Sequence, residues 1–465
     1  MSSVRLRNFW DNVRATYWFV PAVMTLLAAF LAVIMFWVDQ TIPNSLIQDK
    51  WYIFQPAGIA EARSLLNAIA DTSLGVIGVV FSITLVPLSI TSTQYGSIVL
   101  RIFLRDRGTQ LVLGAYSATT FYCFFLLIGL RNPGNQTANL SVTLAADMLL
   151  VSLLLLLYFF HHVADSLQAS SIAEEVSKEL EHVIEQEYSI ERFLPRSNQQ
   201  DAEKVVRQTA LRKGEAITSD REGYVRAIDY GRLIHIASKH KLILRLECPP
   251  GDFVSRGAQL LTAWPSPVDK SVRSAANHAY MLGRNRTLFQ DTEFGFYLMV
   301  TIAVRALSPA INDANTPVLC LNRLGAALGM LAEREEPSPY HYDNDNQLRL
   351  ISRNVSFERL VGVAFDMIRE YGRTNAEILI KMLETIKLVT VHTQSDTQRR
   401  VLLRHATMIE HDSHIGLPSD YDQQRVHDSY EETVRATGLV DEPKDIPARK
   451  PAKSSSNNRI TNART

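Results

Sequence analysis

Cysteine is scarce in this chain, and its placement suggests neither a metal site nor a disulfide framework. The three cysteines, Cys123, Cys248 and Cys320, are far apart and lack the paired spacing of structural zinc sites. Cys123 falls within an apolar run, so a disulfide framework is not expected, and a reducing compartment suits the other two. The sequence therefore predicts no metal site built on cysteine.

Sequence motifs of the common enzyme classes are also missing. The chain has no Walker loop, dinucleotide fingerprint, zincin helix or nucleophile elbow. Neither sign of charge is in excess, because 48 basic residues balance 48 acidic ones. This balance gives no reason to expect nucleic acid as a partner. We expect a protein that is not an enzyme and has no cofactor.

What the chain does have is four long apolar runs, all near its N-terminus. They cover residues 17–38, 69–93, 110–130 and 140–163. A membrane-spanning helix needs about 20 mostly apolar residues, and each run is long enough. No run after residue 163 reaches that length. The sequence predicts an α-helical integral membrane domain of four transmembrane helices in residues 1–163, followed by a cytoplasmic α+β domain.

Arginine is concentrated on one side of the predicted spans. The segments before the first run and between the second and third contain Arg5, Arg7, Arg14, Arg101, Arg105 and Arg107. The loops 39–68 and 131–139 on the other side hold only three basic residues. Because basic residues favour the cytoplasmic side, we expect the N-terminus and everything after residue 163 to be cytoplasmic.

The second run is the least lipid-like of the four. Ser82, Ser89 and Thr93 share one face at helical spacing, and these are candidate pore-lining residues. Pro87 lacks a backbone donor and should kink or break the helix just before it. The hydroxyl stripe has two interpretations: it lines a polar path, or it packs closely against a neighbouring helix.

Two carboxylates lie at or within the predicted spans. Asp71 follows the start of the second run, where we expect an interfacial acid interacting with the positive end of the helix. Asp147 lies about two turns into the fourth run, where an ionisable group that faces lipid is costly. We expect Asp147 to face protein or water, either as a pore-lining ion or proton site or as a hydrogen-bonded packing residue.

The soluble half divides into four segments by pattern. Residues 164–212 predict a helical stalk whose apolar stripe runs from Leu167 to Ile184. That stripe suits association between subunits, and it also suits the core of a single subunit. Residues 213–266 contain short strands broken by Gly and Pro turns, which predict a small β module. Residues 267–441 are mainly helical, and residues 442–465 are predicted to be disordered.

The layout of the β module is similar to the barrel-sandwich shape of biotinyl and lipoyl carriers. No lysine lies in the Met-Lys-Met-like hairpin that carries the modification in such domains. We therefore predict a barrel-sandwich-like module with a structural role in assembly and no role as a carrier.

A motif in the helical segment carries a family resemblance. Residues 306–313 read Ala-Leu-Ser-Pro-Ala-Ile-Asn-Asp. Supporting segments are Gly223-Tyr224-Val225, Pro250-Gly251-Asp252-Phe253-Val254 and the four-span N-terminus. The chain resembles the bacterial predicted-membrane-protein family called Domain of Unknown Function 2254, and the likeness extends to about residue 430. The resemblance implies the four-span topology in a bacterial inner membrane, and it implies no particular activity.

The same motif has a direct structural interpretation. Ser308 and Pro309 favour a turn, and Asn312 or Asp313 can cap a helix over residues 316–331. The alternative is a small polar site in which Asn312 and Asp313, with Asp291 as a further candidate, hold a cation or contact another subunit. Near the C-terminus Glu410, His411, Asp412 and His414 cluster with His405 and His427. We expect solvated polar residues there, because the spacing gives no tetrahedral template for a metal.

Two function classes follow from these observations. The first is a homo-oligomeric inner-membrane protein that forms an ion channel or permeation pathway, with the cytoplasmic domain in regulation or assembly. Four spans are too few to enclose much of a pore, so other copies of the chain would complete it. The expected partners are the lipid bilayer, those copies and ions. The second is a non-conducting scaffold or sensor that binds a partner through its cytoplasmic domain.

Overall fold

Four apolar helices form the N-terminal part of the protein. The computed structural model describes residues 16, 18–41, 58–104, 107–130, 139–166, 169–188, 203–206 and 213–439. The first helices are α1 (Phe19–Thr41), α2 (Ile59–Leu104), α3 (Arg107–Gly129) and α4 (Asn139–Ser166). Each includes a stretch long and apolar enough to cross a membrane, namely Phe19–Asp39, Ile59–Val86, Arg107–Gly129 and Leu140–Val163. The four predicted spans are confirmed.

Helix α2 differs from the prediction in its start and its continuity. Its apolar span begins at Ile59 and not at residue 69. Glu61 and Arg63 interrupt the apolar sequence there, which hid the first turns. The helix also runs without a break past Pro87 to Leu104, so the predicted break is absent. A membrane helix tolerates proline when its surroundings satisfy the freed carbonyl.

Helix α3 is the centre of the membrane bundle and packs against α1, α2 and α4. Two apolar clusters fill the bundle. One lies towards Asp39 and Leu130, a side that we call the Asp39 end, and includes Leu66, Tyr122 and Ala145. The other lies towards His162, which we call the His162 end, and includes Val80, Tyr116 and Phe159. The bundle therefore has a packed interior of its own.

The remainder is a mixed α/β region that contains two small sheets. Its elements in chain order are α5 (Ala169–Glu187), β1 (Glu215–Thr218), β2 (Gly223–Ile228), α6 (Tyr230–Lys239), β3 (Ile243–Leu246), β4 (Phe253–Val254), β5 (Gln259–Trp264), α7 (Lys270–Ala279), β6 (Tyr280–Gly283), α8 (Thr292–Ala306), α9 (Asn315–Ala332), β7 (Tyr340–Tyr342), β8 (Leu348–Ile351), α10 (Phe357–Gly372), α11 (Ala376–His392), α12 (Asp396–Gly416) and α13 (Asp420–Thr437). The strand orders are β1-β5-β3-β8-β7 and β4-β2-β6. The barrel-sandwich shape is not confirmed.

The larger sheet draws on two distant parts of the chain. Strand β8 pairs parallel to β3, with Leu244 opposite Leu350, and it brings the β7–β8 hairpin with it. That hairpin comes from between α9 and α10, beyond the segment 213–266 from which we predicted the module. Alternating burial along β3 and β8 places Leu244 and Leu350 in the same core.

Helix α5 packs into its own subunit. Its apolar stripe, including Ile172, Val176, Leu180 and Ile184, is buried against α8 and α9. Of the two interpretations of that stripe, the one that uses a single subunit's core is confirmed. Leu167 and residues 442–465 lie outside the described residues.

Candidate functional site

The outward face of α2 carries a line of small and polar residues. The inward side of the helix is marked by Leu66, Ile69, Ser73 and Val80, which are buried. The opposite side is marked by Asp71, Gly75, Gly78, Ser82 and Ser89, which are exposed. These positions are separated by three, four or seven residues, so they follow one face of the helix. We call this set the α2 line.

Open space lies beside the α2 line. Nothing is within 4 Å of the position that a Cβ would occupy at Gly75 or at Gly78. Leu85 interrupts the line with one bulky exposed side chain. The backbone of α2 is therefore accessible to another helix along much of the span, since small residues let helices approach closely.

The outward faces of the other spans are mainly apolar, with Asp147 on α4 as an exception. Their exposed side chains are large and apolar, and they include Leu26, Phe30, Trp37, Phe124, Ile128, Leu154 and Leu157. Such residues suit contact with lipid tails. Large apolar side chains are also exposed on α2, including Leu74, Val79 and Phe81, and the α2 line runs between them as a strip of small and polar residues.

Asp71 lies well inside the membrane helix. Helix α2 begins at Ile59, so Asp71 is about three turns from its N-terminus and does not interact with the helix end as predicted. The guanidinium of Arg63 donates to the carbonyl of Leu130, at the Asp39 end of the bundle. Eight residues separate Arg63 from Asp71, which places the carboxylate about 12 Å from that level.

Asp147 faces outward on α4 at a comparable depth. It lies seven residues after Leu140, about 10 Å along the helix, and its side chain is exposed. Leu150, Val151 and Leu154 are exposed on the same face. A lone carboxylate among apolar side chains is costly in lipid, so this face also needs a neighbour or water.

Hydroxyl groups occur inside the bundle as well. The Oγ1 atom of Thr119 lies 3.3 Å from the Oγ atom of Ser152, and both residues are buried. Ser73 is also buried, and its Oγ has no hydrogen-bond partner among the described residues. These three residues lie between the two apolar clusters along their helices. Sequence patterns did not single them out, because an isolated hydroxyl does not reveal which face of a span is inward.

The predicted pore residues therefore separate into two outward faces. Ser82 and Ser89 lie on the α2 line, and Asp147 lies on the outward face of α4. Thr93 belongs to α2 by its backbone, and its side chain lies outside the described part of the structure. None of the three described side chains points into the interior of a single bundle.

The motif at residues 308–313 forms the turn between α8 and α9. The carbonyl of Ser308, which Pro309 follows, accepts from the N–H groups of Ile311 and Asn312. Asn312 adopts a left-handed φ of 50°. Asp313 then caps α9, as predicted: its carboxylate accepts from the N–H of Asn315 at 2.9 Å and from the hydroxyl of Thr316 at 2.5 Å.

A cation site shared with Asp291 does not form. Asp291 caps the opposite end of α8, where it accepts from the N–H of Phe294 and pairs with Arg286. Helix α8 has 15 residues, so its two ends are about 22 Å apart. The motif thus forms a structural turn within the described chain, and its contact with another subunit stays a prediction.

The acidic and histidine cluster near the C-terminus is only partly solvated, contrary to the prediction. Glu410 accepts from the Nδ1 atom of His427 at 2.8 Å, and Asp412 pairs with Arg369 on α10. His405 is buried. Helix α12 continues through this segment and packs against α10 and α13, which buries His405 and leaves His411 and His414 exposed. Among the described residues no three His, Cys, Asp or Glu side chains are placed to hold a metal.

Comparison with known proteins gives one family and several relatives. The model of the family described as predicted membrane protein (DUF2254) matches residues 14–387. Uncharacterized protein Rv1290c of Mycobacterium tuberculosis is 26% identical over 392 residues, which cover 82% of this chain and 73% of that protein. Uncharacterized protein Mb1321c of Mycobacterium bovis is 26% identical with the same coverage. No solved structure matches the chain.

Proposed function

The chain belongs to the predicted membrane protein family Domain of Unknown Function 2254, and we propose that it assembles into a homo-oligomer in which the α2 line borders a pathway for small cations. The observation that carries this proposal is the outward position of Asp71, Gly75, Gly78 and Ser82 through the second span. The scaffold alternative would need no such surface within the membrane.

The physical argument starts from what the α2 line would cost in lipid. Glycine and serine offer lipid tails little apolar area, and a carboxylate about 12 Å beyond the level of Arg63 costs several kcal/mol if it stays ionised there. Neighbouring helices or water remove that cost. Small residues also allow the close helix contacts by which membrane proteins associate. A second copy of the chain supplies both kinds of neighbour.

A pathway inside one subunit has less support. The described bundle is filled by its two apolar clusters, with the hydroxyls of Thr119 and Ser152 between them. A route between subunits instead uses the face that is already polar. This arrangement agrees with the small number of spans, because several symmetry-related copies of the chain then enclose the pathway together.

The charge of the outward faces favours cations. Asp71 and Asp147 are the outward ionisable groups deep in the described spans, and both are acids. Arg63 lies nearer the Asp39 end, where it is bound to Leu130. Rings of Asp or Glu side chains are a common basis for cation selectivity in channels. In this proposal the ion preference is set by Asp71, about 12 Å beyond Arg63, and by Asp147, about 10 Å beyond Leu140.

The orientation in this proposal follows the arginine distribution. The His162 end and the soluble half are cytoplasmic, and the Asp39 end faces outward from a bacterial inner membrane. Contacts between copies come from the membrane domain. The stripe of α5 contributes none, because its residues Ile172, Val176 and Leu180 are buried within the subunit.

Cysteine cross-linking in native membranes tests the assembly. The background variant is Cys248→Ser, since Cys123 and Cys320 are buried. We expect oxidation to link Ser82→Cys chains into dimers. The matched control is Val33→Cys, which is 52% exposed on α1 and should remain monomeric. Equal cross-linking of both variants, or none at Ser82→Cys, would show that α2 faces lipid and overturn the proposal.

A further inference from the structure

A cleft opens in the soluble half between α8, α10 and α12. Its volume is about 500 Å³. The apolar part of its wall includes Tyr297 from α8, Val363 and Met367 from α10, and Met408 from α12. Ligand sites in proteins commonly have this size, with mostly apolar walls and a few polar groups that fix orientation. The polar groups at this cleft decide what it can bind.

His405 and Asp366 form the polar part of the cleft. The side chain of His405 is 3% exposed, and its Nδ1 atom has no hydrogen-bond partner among the described residues. That atom lies 3.6 Å from the Oδ1 atom of Asp366, beyond hydrogen-bond length. The cleft therefore places an exposed carboxylate next to a buried ring nitrogen that is unpartnered in the described part of the chain.

The surroundings of His405 keep its ring neutral. Burial lowers its pKa to about 4, opposed by the charge of Asp366 and assisted by Arg404 and Arg369. Glu358 opposes the shift from α10. In the neutral ring one nitrogen is a donor and the other an acceptor. A neutral ring adds no positive charge beside Asp366.

The remaining charges of the cleft are paired at its rim. Arg359 contacts Glu293 at 2.9 Å, and Arg404 contacts Glu358 at 2.8 Å. Asp366 is different, because its side chain is 52% exposed and its nearest arginine nitrogen, on Arg369, is 3.9 Å away. Arg369 is itself bound to Asp412. The cleft therefore has an excess of negative charge at Asp366.

We propose that this cleft is a binding site for a small organic cation, a primary amine with an aromatic or branched aliphatic body. The ammonium group would donate to the exposed carboxylate of Asp366, beside the buried ring of His405, whose Nδ1 atom lies 3.6 Å from Oδ1. The apolar body would lie against Tyr297, Val363 and Met408. The site is independent of the proposed conduction pathway.

Gly362 provides a way to close the cleft without disturbing the helix. It lines the cleft on α10, and the nearest atom to an added Cβ is Oδ2 of Asp366 at 3.4 Å. A leucine there has room to extend into the cleft. Leucine also has a higher helix propensity than glycine, so the variant should fold.

Binding of tryptamine to the full-length protein in detergent, followed by isothermal titration calorimetry, tests the proposal. The matched probe is indole-3-propionate, which has the same ring and the opposite charge. We expect saturable tryptamine binding that Asp366→Asn weakens at least tenfold and that Gly362→Leu abolishes. Indole-3-propionate should bind much more weakly.

The control variant is Asp345→Asn, an exposed carboxylate on the β7–β8 hairpin. It should bind tryptamine as the unaltered protein does. Circular dichroism melting checks that each variant is folded, and Met367→Trp, at a 40% exposed position of the cleft wall, should abolish binding in place of Gly362→Leu if that variant is unfolded. Equal binding of both probes, binding that survives Gly362→Leu, or no binding of tryptamine would each overturn the proposal.

Discussion

Asp39 caps α4, in whose first turn Leu140 and Ser141 lie, about a hundred residues further along the chain. Its carboxylate accepts from the N–H of Leu140 at 3.2 Å and from the N–H of Ser141 at 3.1 Å. The hydroxyl of Tyr122 donates to the carbonyl of Ser141 at 3.2 Å. The first, third and fourth spans are therefore joined at one end of the bundle by a few polar contacts.

Removal of this cap should weaken the membrane bundle. We expect Asp39→Ala to lower the free energy of unfolding by about 1–2 kcal/mol, the typical loss when a helix N-cap is replaced by alanine. Asp39→Asn should lose less, because the amide oxygen still accepts. Reversible unfolding in mixed micelles measures both variants. An unchanged stability for Asp39→Ala would show that the two hydrogen bonds contribute nothing.

Two glycines should respond oppositely to the same substitution. Gly75→Leu places a side chain in open space on the α2 line, so each subunit should fold normally and the oligomer should be lost. At Gly129 an added Cβ would lie 2.8 Å from the ring of Phe36, so Gly129→Leu should destabilise the subunit itself. Light scattering and thermal melting in detergent separate the two effects. Full assembly of Gly75→Leu would contradict the assignment of the α2 line as a contact surface.

The cap of α9 should make the stability of the mixed α/β region depend on pH. The hydroxyl of Thr316 lowers the pKa of Asp313 below its usual value. The stability that comes from this group is therefore present above the unfolded pKa, about 3.9, and is lost as the pH falls through the lower folded pKa. We expect Asp313→Ala to cost about 1 kcal/mol at pH 7.

Denaturant unfolding at pH 7 and at pH 3 checks this expectation, with Thr316→Val as a control. Thr316→Val keeps the carboxylate and its hydrogen bonds to backbone N–H groups, so it should cost less than Asp313→Ala. A loss for Asp313→Ala that grows as the pH falls would have the wrong sign.

The features that sequence predicted are those that depend on neighbours along the chain. Span length and composition predicted four membrane helices, and the cap of Asp313 followed from its place just before an apolar run. The start of α2 was missed because Glu61 and Arg63 reduce local hydropathy. The helix around them forms because most neighbouring residues are still apolar and good helix formers.

Other features depend on contacts between distant residues. The stripe of α5 showed which face is apolar and left open whether α8 and α9 or another subunit covers it. The cleft at His405 is built by three helices from separate segments, so no spacing in the sequence places Asp366 beside it. The α2 line was only partly visible, because the inward face of a span is fixed by its packing partners.

Ion flux through liposomes that contain the purified protein tests the central claim most directly. We expect potassium to pass in preference to chloride, and we expect Asp71→Asn to reduce that preference because it removes a charge at nearly constant volume. Ser82→Leu should reduce the flux itself, since a hydrophobic constriction closes a narrow pore by dewetting. If the unaltered protein conducts neither ion under voltage, membrane tension or osmotic downshift, the claim is contradicted and a non-conducting scaffold is the better description.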